Sequence, residues 1–86
     1  MKLNYSYRIV HRDDEILLCN IKNGDVYKIN DVTSYIISQC TNVKTPVELS
    51  NLVYSYFKET PGDFSLSDMN QFVQQLIDIG VVDVDQ

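Results

Sequence analysis

Apolar and polar residues alternate from Leu3 to Ile9, where Leu3, Tyr5, Tyr7 and Ile9 are separated by Asn4, Ser6 and Arg8. A period of two predicts a strand with one covered face. His11 to Asp14 reads as a polar turn. Ile16, Leu17, Leu18, Cys19 and Ile21 then form a near-continuous apolar run, as a strand covered on both faces would. Asn23-Gly24 follows as a two-residue hairpin signal, because both residues tolerate positive φ. Asp25 to Ile29 returns as the next strand. In such a meander Asp25–Ile29 has the middle strand on one side only, so its other side is an open edge.

Beyond Asn30 the period changes to that of a helix. Asn30 is placed to cap a helix whose apolar positions are Val32, Tyr35, Ile36, Ile37 and Cys40, ending near Thr41-Asn42. Thr45-Pro46-Val47-Glu48 reads as a capping box with proline at the first helical position. It opens a helix striped by Leu49, Leu52, Val53, Tyr56 and Phe57. Pro61-Gly62 breaks that pattern. Ser65 or Ser67 starts a third helix with Met69, Phe72, Val73, Leu76 and Ile77 on its buried face and Gly80 as its stop. Val81, Val82 and Val84 suit a short closing strand. Three strands followed by three helices of roughly 10 to 13 residues make an α+β fold, similar to a winged helix-turn-helix with its antiparallel sheet placed first.

Length narrows the function. With 86 residues and 44% hydrophobic content the chain, read as a single domain over 1–86, has a modest core and little room for an enclosed active-site cavity. No apolar run approaches a membrane span, and polar Asn4 and Ser6 interrupt any secretion signal, so a soluble cytoplasmic protein is expected. Cys19 and Cys40 read as two reduced, packed thiols, with a disulfide as the alternative. The net charge of −5 is uneven: through Asp31 five acids balance five bases, whereas beyond it Lys44 and Lys58 face seven acids. Such a carboxyl-terminal part repels phosphate backbones.

The stretch from Ile16 to Cys40 resembles the PqqD family, also called the RiPP recognition element. The family's turn and strand read as Gly, two variable residues, an aromatic or apolar residue, one more residue, and Leu-Asn. Gly24-Asp25-Val26-Tyr27-Lys28-Ile29-Asn30 matches this with Ile29 for Leu. The run from Asp68 through Val82 is similar to the family's last helix, which ends in Gly and an apolar pair. Where the family usually has Ile-Trp in the first helix, this chain has Tyr35-Ile36 and no tryptophan. The resemblance implies a non-catalytic module without cofactor that binds the leader segment of a ribosomally made precursor peptide. It implies as partner a separate processing protease or modifying enzyme, as for the small leader-binding subunit of lasso-peptide pathways or the PqqD chaperone.

Leader capture implies strand addition to Asp25, Val26, Tyr27, Lys28 and Ile29 beside the third helix. About four main-chain bonds at about 1 kcal/mol each do not offset roughly 1–2 kcal/mol of ordering per guest residue. Two or three buried apolar side chains at roughly 1.5–3 kcal/mol each are needed as well. Tyr27 and Ile29 share one strand face and are expected in the core, which leaves Val26 and Lys28 to meet the guest. On the third helix Asp68, Phe72 and Gln75 share a flank with Gln71 beside them. Gln71 and Gln75 are candidate hydrogen-bonding groups and Phe72 a pocket floor. The bland readings are that Phe72 is core, Asp68 favours the helix amino terminus and Lys28 blunts an edge.

Rival functions fit less well. His11 is the only histidine, and His11, Cys19 and Cys40 lack the spacing of a catalytic or metal site. A winged helix that binds nucleic acid needs a basic third helix, yet Ser67–Ile79 carries Asp68 and Asp78 without Lys or Arg. A protein adaptor docking through Tyr5, Tyr7, Tyr54 or Tyr56 is a third class, although Tyr5 and Tyr56 fall on predicted buried stripes. The expectation is thus a partner peptide rather than nucleic acid or membrane, and the open edge also permits self-pairing into a homodimer.

Overall fold

The computed structural model describes residues 1–58 and 65–84; the expected break at Pro61-Gly62 lies outside them. The order is β1 (Lys2–Leu3), β2 (Tyr7–Arg12), β3 (Glu15–Asn20), β4 (Val26–Ile29), α1 (Asp31–Gln39), a 3-10 turn (Cys40–Asn42), α2 (Pro46–Phe57), α3 (Leu66–Asp78) and β5 (Val82–Asp83). Strands β2, β3 and β4 form an antiparallel meander in that order, so the α+β, sheet-first architecture is observed.

The expected first strand divides into two pieces. Asn4 ends β1: its carbonyl accepts from the Tyr7 amide, and its side chain accepts from the Ser6 amide while donating to the Asp83 carboxylate. Lys2–Leu3 pairs with Val82–Asp83 in a separate two-stranded sheet, while Tyr7–Arg12 joins the meander. Tyr5 is therefore no stripe residue and stands 68% exposed. The first turn is only Asp13-Asp14, with Asp13 at φ +54°, and His11 and Arg12 belong to β2.

The second hairpin also departs from the two-residue expectation. The Asn20 amide bonds the Asp25 carbonyl at 2.8 Å, leaving a four-residue loop, Ile21–Gly24, between them. Gly24 is its last member at φ +80°, where glycine carries no Cβ penalty. The Asn20 side chain accepts from the Lys22 amide and the Asn23 side chain from the Asp25 amide. These bonds satisfy amides that a tighter turn would have paired across the strands. Ile21 leaves the strand and is exposed, and β4 begins at Val26 rather than Asp25.

Local caps set the helices. The Asn30 side chain accepts from the Thr33 amide at 2.8 Å and starts α1. Thr45 accepts from the Glu48 amide, but Glu48 turns back to the Lys44 amide, so the expected box at α2 is half formed. Ser65 is the cap of α3, with both bonds of the Ser65/Asp68 box present. Helix α3 ends in a Schellman motif: the Gly80 amide bonds the Ile77 carbonyl and the Val81 amide the Leu76 carbonyl, with Gly80 at φ +85°. Space is open around Gly80, so Gly80→Ala meets only backbone strain. We expect Gly80→Ala to cost about 1 kcal/mol and lower Tm by about 4–8 °C in a calorimetric scan.

Ile36 and Cys40 of the α1 region, Leu49 and Val53 of α2, Met69 and Val73 of α3, Val81 and Val82 pack into one buried cluster. Leu18 closes it from the middle strand. The predicted stripes are otherwise close to what is buried, with Tyr56 the exception at 62% exposure, its ring stacked on Tyr35 at 4.1 Å. Both cysteines are free; burial pushes the Cys40 thiol up from its ordinary value, so it stays protonated. No helix among the described residues is long and apolar enough to cross a membrane.

Candidate functional site

Alternation of the antiparallel ladder decides which backbone groups of β4 are free. Starting from the bond between the Asn20 amide and the Asp25 carbonyl, the hydrogen-bonded pairs toward β3 are Leu18 with Tyr27 and Ile16 with Ile29. Val26 and Lys28 stand in the non-bonded pairs, so their N–H and C=O groups point away from β3. The other hairpin agrees: the Ile21 amide bonds the Ser6 carbonyl, which turns Cys19 and Leu17 toward β2 and leaves Leu18 and Ile16 for β4. Among the described residues no strand covers the far side of β4. Four main-chain groups of Val26 and Lys28 thus line an open edge.

The opposite edge of the meander is treated differently. On β2 the Tyr7 amide is taken by the Asn4 carbonyl, and the Tyr7 carbonyl accepts from the Arg8 guanidinium at 2.8 Å. A second Arg8 bond reaches the Tyr5 carbonyl at 2.7 Å. This end of β2 is therefore closed to a pairing strand, whereas among the described residues no such bond plugs β4.

Register places Ile9, Leu18 and Tyr27 in one row across the sheet, and Ile16 beside Ile29. Because Leu18 is buried, this row is the inner face, turned toward the helices. Between it and the carboxyl-terminal turns of α3 lies a cleft of about 480 Å³. Its walls are Tyr7, Leu18, Tyr27 and Ile29 from the sheet, Thr33 from α1, Gln75, Leu76 and Ile79 from α3, and Val81. The volume falls within the roughly 300–1,000 Å³ of ordinary ligand pockets. The lining is apolar apart from Thr33, Gln75 and the two tyrosines, Tyr7 and Tyr27, and the Tyr27 phenol donates to the Asp25 carboxylate at 3.2 Å. The Asp25 charge, and then that hydrogen bond, hold the phenol above its usual pKa, so it remains a neutral donor at physiological pH.

Three of the nine residues singled out in the sequence, Tyr27, Ile29 and Gln75, come together in this cleft. Tyr27 is not core but half exposed, because the cleft beside it is open. Val26 and Lys28 lie on the outer face, and Lys28 meets Glu15 at 3.4 Å in an exposed ion pair of small energetic weight. Asp25 flanks the strand and anchors the phenol. On α3, Asp68 serves the amino-terminal box, Gln71 is exposed, and Phe72 packs against the buried cluster; none of the three lines the cleft.

Apart from Tyr7, named above as a docking tyrosine of an adaptor, the remaining lining residues were not singled out as site residues. Leu76 and Val81 had a readable signal: a Schellman turn at Gly80 brings the third residue from the helix end against the residue after the glycine. Tyr7, Leu18 and Thr33 enter through long-range packing that local patterns do not carry. A second depression of about 300 Å³ lies between α1 and α2, beside the stacked Tyr35 and Tyr56. It touches no free strand edge. Among the described residues no cluster of His, Cys, Asp and Glu is arranged to hold a metal ion.

No family model matches the chain, and a search of curated proteins finds no match. Two solved structures are similar. One is TbiB1 in complex with the TbiA(beta) leader peptide, at a TM-score of 0.64 and 20% identity, covering 94% of this chain and 93% of that one. The other is a lasso peptide synthetase B1 complexed with the leader peptide, at a TM-score of 0.62 and 16% identity over 92% of each chain. The sheet-first α+β fold of this chain is thus the fold of these two leader-bound B1 proteins.

Proposed function

We propose that this protein binds the leader segment of a ribosomally made precursor peptide by adding it as a fourth strand to β4. It then hands the precursor to a separate processing protease or modifying enzyme. The observation that carries this reading is the pair of outward-facing residues, Val26 and Lys28, on an open edge that adjoins an apolar cleft. Guest side chains alternate, so every second one enters the cleft against Tyr27, Ile29, Leu76 and Ile79. Main-chain pairing supplies grip and the cleft supplies the apolar burial without which pairing does not repay the ordering of the guest.

Both similar structures hold leader peptides, which supports the same class of guest here. A binding role rather than catalysis is favoured by the chemistry of the cleft. Among the described residues it offers one amide, one hydroxyl and the two tyrosines Tyr7 and Tyr27, with the chain's single histidine exposed on β2.

The test is a titration with the leader of a precursor peptide encoded beside this chain, followed by amide shift mapping. Shifts are expected along residues 25–29 and at Gln75 and Ile79; shifts confined to α1 and α2 would discard the site. Gln75 is exposed, so Gln75→Arg should leave Tm within a degree or two. The same change fills the cleft and should weaken leader binding by about tenfold or more, since excluding even one apolar guest side chain loses about 1.5–3 kcal/mol. Unchanged affinity would remove Gln75 from the site.

A further inference from the structure

We propose that the depression between α1 and α2 is a docking point for a protein partner and takes an arginine side chain of that partner. This site stands apart from the leader-binding cleft and does not rest on that reading. Asp31, Ser34, Tyr35 and Ser38 recur at the spacing of one α1 face, and Tyr56 and Phe57 at the end of α2 complete the lining around about 300 Å³. Tyr35 and Tyr56 stack at 4.1 Å with their planes 15° apart, and Phe57 stands edge-on to both, so the aromatic wall is preformed. Tyr56 still keeps 62% of its surface open, which leaves ring surface for a further planar group.

The polar groups beside that wall are uncommitted. Among the described residues no hydrogen bond or ion pair engages the Asp31 carboxylate, the Ser34 hydroxyl or either phenol, and only the Ser38 hydroxyl is used, donating to the Tyr35 carbonyl at 2.8 Å. Asp31 is the one charged residue of the lining. Helices α1 and α2 hold no Lys or Arg, and Lys58, which caps α2, does not line the depression. A carboxylate, hydroxyl oxygens and the negative faces of aromatic rings together favour a cation that carries hydrogen-bond donors. A guanidinium adds a flat face that lies on a tyrosine ring while its fork bonds a carboxylate. An ammonium lacks the plane, a neutral aromatic lacks the charge, and a phosphate is repelled by Asp31. A site this open buries too little of a free small molecule, so the cation is delivered by a protein whose surrounding surface adds the remaining contact. Tyrosine and arginine are among the residues that most often anchor such interfaces.

The experiment is a selection of random short peptides displayed on phage against the intact protein, keeping those whose binding Ser34→Lys abolishes and Val26→Pro leaves unchanged. Ser34→Lys sets an ammonium one turn from Asp31 and fills the depression. Circular dichroism checks that each variant is folded, and Tyr56→Ser, at an exposed position, replaces Ser34→Lys if that protein does not fold. The peptides kept should share an arginine. Its replacement by citrulline, which retains the plane and removes the charge, should weaken binding by about three- to thirtyfold through loss of the cation–ring contact and one exposed ion pair. That loss should shrink in Asp31→Asn and as salt is raised. Replacement by lysine, which retains the charge and removes the plane, should still weaken binding by about two- to fivefold. Peptides without arginine, or ones in which citrulline or lysine serves equally well, overturn the guanidinium assignment. Absence of any peptide sensitive to the depression variants overturns the site itself. Neither result bears on strand addition at β4, which leader titration of Val26→Pro tests separately.

Discussion

Val26→Pro is expected to weaken leader binding by about 30- to 1,000-fold while the protein stays folded. Its N–H points away from β3, so removing it breaks no bond of the native ladder, and proline is tolerated on an edge strand whose N–H side faces solvent. The guest, however, loses one bond of about 0.5–1.5 kcal/mol, and its carbonyl is buried without a donor at about 1–3 kcal/mol more. Together these make about 2–4 kcal/mol, measurable by isothermal titration calorimetry. Tyr27→Pro is the informative contrast, because the Tyr27 N–H faces Leu18 and its loss should damage the sheet itself. Equal leader affinity in folded Val26→Pro and in the parent protein would eliminate strand addition at β4.

The largest effect on stability is expected at Leu49. It is fully buried on α2, the helix that packs against both α1 and α3. Leu49→Ala removes buried methylenes and leaves a cavity that three helices cannot all close. We expect a loss of about 3 kcal/mol and a fall in Tm of about 12–24 °C by differential scanning calorimetry. For a domain of this size that is a large share of the total. Leu49→Met, which nearly conserves volume, should cost less than about 1.5 kcal/mol. A Leu49→Ala protein that melts like its parent would mean that this residue does not sit where the three helices meet.

What could be read from the chain follows the range of the forces involved. Asn30 and Gly80 were legible, and the cap of α3 was narrowed to Ser65 or Ser67, because each acts within one helical turn, through its own side chain or its own φ. The α3 stripe was legible because a 3.6 period persists over thirteen residues. Alternation from Leu3 to Ile9 misled, since a period of two continues unchanged through the turn at Asn4. What ends the strand there is a bond to Asp83, seventy-nine positions away. Asn23-Gly24 misled differently: it marks a turn, but the Asn20 and Asn23 side chains lengthen the loop.

For the site, the two faces of β4 were assigned with the right parity and the wrong consequence. Tyr27 and Ile29 were placed inward, which holds, yet inward of β4 means a cleft rather than a packed core. Whether space remains there depends on where α3 ends, and that is fixed by the turn at Gly80 rather than by anything in the strand. The same reasoning explains Phe72. Its place on an apolar flank was clear, but only packing reveals that this part of α3 faces the buried cluster while Gln75, one turn on, faces the opening.

The split between β4 and the end of α3 has an evolutionary corollary. On the proposed reading, the amides and carbonyls of β4 grip any extended polypeptide alike, so recognition would drift through substitutions at Gln75 and Ile79, both exposed and cheap to change. Descendants of one scaffold can in this way part company over their clients while retaining a common handhold.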